Sequence, residues 1–122
     1  MSEDDEQFHQ AFGEHTGIAR RGRNDIYDIR RSRYHTYHFS LNPNDADCFT
    51  NLAWRLLGRY IANNTHLTNI DLSRCGIADE ELASLFRELT RSNSLARLNL
   101  YGNSFAFSPL LLQKQQYYLG VL

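Results

Sequence analysis

Five histidines, two cysteines and several carboxylate pairs are the residues of this 122-residue chain that could carry chemistry. His35 and His38 are the closest histidines, with His9, His15 and His66 apart from them. On a strand, positions three apart point to opposite faces, which disfavours a shared metal ion. Asp45 with Asp47, and Glu80 with Glu81, read as charges at helix starts, where the backbone dipole favours them, rather than as an acid and base pair. "GIARRG" and "YGNSF" lack the spacing of a phosphate-cradling loop, and there is no G-x-S-x-G turn. Without nucleophile, base and orienter together, the expectation is a non-enzymatic protein with no cofactor and no metal. Cys48 and Cys75 are too few for a disulfide framework and read as packing residues.

One charged segment could name a partner. "RRGRNDIYDIRRSR", residues 20–33, holds six arginines in fourteen positions, a composition that could bind phosphates or serve nuclear import. Asp25 and Asp28 interrupt it, and the preceding eighteen residues carry Glu3, Asp4, Asp5, Glu6 and Glu14 without a Lys or Arg. Opposed charge blocks commonly form solvated tails, so residues 1–33 are expected as a charged, flexible N-terminal tail. Phe8, Ala11 and Phe12 stand at helical spacing and could add a turn or two that caps the first of the downstream elements. The net charge of −1 gives no overall attraction to nucleic acid or an anionic membrane. No apolar run approaches the roughly 20 residues of a membrane span, and "MSEDDEQ" is acidic where a secretory signal is basic. The expected setting is cytoplasmic, with the nucleus as alternative.

These residues must be positioned by regular elements downstream. In "LTNIDLSRCGI", residues 67–77, and "LARLNLYGNSF", residues 95–105, Ile70 and Leu72, then Leu98 and Leu100, alternate with polar residues as in half-buried strands. Between them Leu82, Leu85, Phe86 and Leu89 form one helical stripe, with Asp79, Glu80 and Glu81 at the helix start and Arg87 and Arg91 toward its end. Strand, helix and strand joined by short connections form a parallel pair. Upstream, "YHTYHFSLN" places Tyr34, Tyr37, Phe39 and Asn42 at the same spacing, a worn first copy. A helix capped by Asn44 or Asp45 comes next, with its stripe at Phe49, Leu52, Ala53, Leu56 and Tyr60. Ser108 and Pro109 start a further helix.

The two segments 28 residues apart resemble the leucine-rich repeat in its ribonuclease-inhibitor-like subclass. The resemblance implies an α/β fold: a short right-handed solenoid with about three parallel strands on the concave side and helices on the convex side. Its domain would span 34–122, divided into a degenerate repeat 34–66, a clear repeat 67–94, and a last strand with a capping helix, 95–122. Cys75 and Asn103 would turn inward after their strands, Asn103 bonding backbone groups. A fragment of a longer array fits this pattern, with an open edge at the last strand that could associate with another chain.

Outward residues then fall in rows: Thr36, Asn69 and Arg97; His38, Asp71 and Asn99; Ser40, Ser73 and Tyr101. Thr36, His38, Asn69, Asp71, Ser73, Arg97, Asn99 and Tyr101 are the candidate partner-binding residues, with Tyr101 and Arg97 as anchors. The expected function is non-catalytic binding of another protein through this sheet face, with no small-molecule substrate and no membrane. Two alternatives remain: a regulatory fragment of a GTPase-activating or immune-sensor-type protein, implied by the resemblance, and a nucleic-acid or nuclear-import contact through residues 20–33.

Overall fold

The computed structural model describes residues 2–33, 35–89 and 91–104. Helix α1 (Glu3–Phe12) is opened by Ser2, whose hydroxyl accepts the Asp5 N–H, and its first turn is Glu3, Asp4, Asp5 and Glu6. Both features satisfy a helix N-terminus. A single 3-10 turn, Glu14–Thr16, ends at Gly17 in the left-handed region, φ 86°. Helix α2 (Arg20–Arg30) has no cap of its own. The amide of its N-cap residue is met from a distance, the Ala19 N–H donating to Asp45 Oδ1 at 2.9 Å. Gly22 permits that approach, because a Cβ there would lie 2.4 Å from Asp45 Oδ2.

Residues 1–33 are therefore not a flexible tail. Phe12, Ile18, Ile26 and Ile29 are core residues, and Phe8 sits against Phe12, Tyr27 and Tyr60 with ring centroids 5.4, 5.9 and 6.2 Å apart. The two charge blocks meet across this packing. Arg30 donates to Asp4 at 2.6 Å and also to Asp5, with its guanidinium 5.1 Å from the Phe8 ring centre. The Arg30 hydrogen bond, helped by Ser2, holds the Asp5 carboxyl below its ordinary range.

The sheet has three parallel strands in the order β1 (His38–Ser40), β2 (Asn69–Asp71) and β3 (Arg97–Asn99). Phe39, Ile70 and Leu98 pair across it and all point into the core. Where the sequence pattern predicts one helix after β1, two form. Asn42 Oδ1 accepts from the Asn44 N–H at 2.8 Å and starts α3 (Pro43–Ala46), and Thr50 caps α4 (Asn51–Asn63) through the Ala53 N–H at 3.2 Å. Two cap signals in succession make two helices. Helix α5 (Asp79–Leu89) buries Leu82, Leu85, Phe86 and Leu89. It crosses α4 closely at Gly58, where a Cβ would meet the Leu85 carbonyl at 2.4 Å.

The solenoid expectation gives way to a helix-capped α/β unit, which among the described residues has five α-helices and one short sheet. A solenoid repeats one unit at one period. Here His38 pairs with Asn69, 31 residues on, whereas Asn69 pairs with Arg97, 28 residues on, and α1 and α2 belong to neither interval. The helix expected from Pro109 lies outside the described residues, as does Tyr34.

Candidate functional site

The solvent side of the sheet is built by alternation: with Phe39, Ile70 and Leu98 turned inward, their neighbours turn out. One row runs His38, Asn69, Arg97 and the next Ser40, Asp71, Asn99. The first strand is thus two residues out of the expected register. Tyr37, expected inward, is 66% exposed, and Phe39 and Leu41 take the inward places. Thr36 leaves the face altogether, being only 8% exposed.

Two of the remaining candidates are occupied by the chain itself. Asp71 Oδ1 accepts from the Ser73 N–H and Asn99 Oδ1 from the Tyr101 N–H, each at 2.9 Å. Such turns close the strand ends and hold these side chains against the backbone. His38 and Arg97 are exposed at either end of their row. Beyond β3, Tyr101 is 46% exposed, and Arg74 lies over its ring at 5.7 Å. Arg74 reaches it from the left-handed region, φ 57°, with its N–H donating to the Tyr101 carbonyl at 2.9 Å. Alternation alone gives no sign of Arg74, whose position is set by the turn after β2.

Beneath this ridge Asn103 ties both turns together. Its Oδ1 accepts from the Cys75 and Ile77 N–H groups at 3.0 and 2.9 Å, and its Nδ2 donates to the Leu72 and Leu100 carbonyls at 2.9 Å each. Burial, with Asp71 and Asp47 nearby, pushes the Cys75 thiol up to about 12. The thiolate is the reactive form. At pH 8 iodoacetamide is therefore expected to spare Cys75 in the native protein while modifying the half-buried Cys48, and to modify both in denaturant, as read by mass spectrometry of peptides. Equal native rates would contradict the burial of Cys75.

Among the described residues no cluster of three or more His, Cys, Asp or Glu side chains could hold a metal ion, and no helix is long and apolar enough to cross a membrane. The arrangement offers recognition: a polar row ending in an arginine, and an aromatic ring with a second arginine stacked on it.

No family model matches the sequence, and no curated protein matches it. The fold has solved counterparts. It is similar to the tropomodulin C-terminal domain of Caenorhabditis elegans, with a TM-score of 0.57 and 22% identity over 68% of this chain and 48% of that one. It is also similar to leiomodin-1 actin-binding site 2, with a TM-score of 0.56 and 18% identity over 68% of this chain and 47% of that one. The chain thus spans about half the length of either structure. These likenesses replace the ribonuclease-inhibitor-like repeat family expected from the strand motifs. The leucine spacing reports a strand, helix and strand unit correctly placed over a core. It does not report the helices packed around that unit.

Proposed function

We propose that this chain is a non-catalytic protein-binding domain that engages actin through the solvent side of its sheet. The carrying observation is the fold shared with a structure named as an actin-binding site, over 68% of this chain. The exposed Arg97 and Tyr101, with Arg74 stacked on the ring, support it: aromatic and arginine side chains bury large area while offering directed donors. His38 and Asn69 complete the contact row, whereas Asp71, Ser73 and Asn99 shape its border. A cytoplasmic setting accords with such a partner. The nucleic-acid reading of residues 20–33 has less support, because Arg23 donates to the Ile18 carbonyl, Arg30 pairs with Asp4, Arg31 lies over Tyr27 and Arg33 pairs with Asp28, which leaves Arg20 and Arg21 as the exposed arginines of the block outside these contacts.

Co-sedimentation with filamentous actin, together with fluorescence titration of monomeric actin, tests the proposal. The Arg97→Ala, Tyr101→Ala double variant is expected to bind roughly 30-fold more weakly, about 2 kcal/mol, with an unchanged melting temperature. Arg87→Ala, on the exposed side of α5, is expected to bind as the wild type does. Absence of binding to both actin forms rejects the partner. Loss with Arg87→Ala but not with the double variant moves the contact to the helical side.

A further inference from the structure

A groove of about 700 Å³ runs between helix α2 and strand β1, on the opposite edge of the sheet from Arg97. Its helical wall carries Arg21, Asp25 and Asp28, one stripe at i, i+4 and i+7. Its other wall is the strand His38–Ser40, continuing to Asn42, with Thr36 also lining it.

The strand wall offers backbone as well as side chains. Tyr37 accepts at its carbonyl from the Asn69 N–H, and the Leu41 N–H donates to the Asp71 carbonyl, so the odd-numbered residues of β1 face β2. In a parallel ladder the intervening residues turn their N–H and C=O groups the other way. His38 and Ser40 therefore present an outer row of donors and acceptors along the groove. Thr36 adds a buried hydroxyl that has no hydrogen-bond partner among the described residues. An unpaired strand edge is unfavourable, and an added strand relieves it.

We propose that this groove takes an extended peptide segment carrying a lysine or arginine, which adds as a fourth strand beside β1 and sets its cation against Asp25 and Asp28. Strand addition draws affinity from main-chain bonds and specificity from alternate side chains. Here every second peptide side chain faces α2. Asp25 is half-buried, its carboxyl pushed up by burial even with Arg21 near, so a cation placed there meets a poorly solvated anion. Asp28 already draws Arg33 and His35, at 3.8 and 3.7 Å, and a peptide cation competes with these exposed partners. With Asp25 and Asp28 against Arg21 on the helical wall, the groove disfavours an acidic peptide.

The test uses the full chain, isotope-labelled, titrated with Thr-Val-Thr-Lys-Thr-Val-Thr and with the same peptide carrying Glu for Lys. Two further versions carry N-methyl groups on alternate amides, one for each edge of the peptide. The Lys peptide is expected to slow amide exchange at His38 and Ser40, and the Glu peptide to bind at least tenfold more weakly. One methylated version should lose binding while the other keeps it, since a strand pairs through one edge. Asp25→Asn with Asp28→Asn should weaken the Lys peptide tenfold without lowering the melting temperature. The Arg97→Ala, Tyr101→Ala variant should bind it as the wild type does, which separates this groove from the sheet face. No binding at millimolar peptide, equal binding of the Lys and Glu peptides, indifference to methylation on both edges, or shifts mapping to Arg97 and Tyr101 would each overturn the proposal.

Discussion

Deleting residues 1–33 is expected to leave a chain without a cooperative thermal transition. Four large apolar side chains, Phe12, Ile18, Ile26 and Ile29, leave the core with that segment, and each is 3% exposed or less. Their removal uncovers the buried Tyr60, whose ring lies against Phe8 and Phe12, and takes away Ile29's carbonyl, which accepts from Asn64 Nδ2 at 3.0 Å. A buried large-to-small change costs about 2–5 kcal/mol, so losing four, on the order of 8–20 kcal/mol, is comparable to the whole of the roughly 5–15 kcal/mol by which a domain is stable. Phe12→Ala gives the graded version. It is expected to lower stability by about 3–5 kcal/mol in urea unfolding followed by circular dichroism, whereas Glu3→Ala, at an exposed helix start, should cost below about 1 kcal/mol. A truncated chain that melts cooperatively near the wild-type temperature would show that α1 and α2 are ornaments on an independent core.

The reason this segment reads as a tail in the sequence lies in how its charges pair. Arg30 stands 25 and 26 positions from Asp5 and Asp4, and no local pattern reports a partner at that distance. Phe8 and Phe12 at i and i+4 carry a helical signal. The charge blocks outweigh it because α2 buries only a narrow strip, Ile26 and Ile29, between arginines that reach solvent. Tyr60 lies against Phe8 and Phe12 of α1, and burial, with Asp4 nearby, pushes its phenol up to about 12.

The sheet is more legible, and the error in its register has a simple physical origin. Side-chain direction in a strand repeats every two residues, so alternation identifies the two faces but is blind to a slip of two. Tyr34, Tyr37 and Phe39 satisfy the motif spacing as well as Thr36, Phe39 and Leu41 satisfy the real pairing. The large aromatics draw the register toward themselves. What decides against Tyr37 is the cap at Asn42, which begins α3 at once and leaves Leu41 as the last inward residue. The groove beside β1 is invisible in the sequence for a related reason: with α2 read as part of a tail, nothing forms its second wall.

Asn103→Ala is expected to be the costliest polar substitution in the turn region, because one side chain there completes four bonds to two successive turns. Alanine strands the Cys75 and Ile77 N–H groups and the Leu72 and Leu100 carbonyls, with Leu72 and Ile77 fully buried. Each net bond contributes about 0.5–1.5 kcal/mol. Asn103 itself is half-buried, so water reaches part of the gap and the total falls at roughly 2–4 kcal/mol rather than the full sum. Asn103→Asp keeps the acceptor toward Cys75 and Ile77 but loses the donor toward two carbonyls, and is expected to fall between alanine and wild type. Asn99→Ala provides the contrast: its side-chain bond to the Tyr101 N–H, at an exposed turn, should be worth about 1 kcal/mol or less. Urea midpoints at equal slope measure all three. The turn that Asn103 holds also carries Arg74 and Tyr101, so Asn103→Ala should weaken the capture of actin proposed for this face even at temperatures where the protein stays folded. Equal midpoints for Asn103→Ala and Asn99→Ala would mean that the four bonds do not act together, and that the ridge is held without them, by contacts such as the Arg74 N–H on the Tyr101 carbonyl.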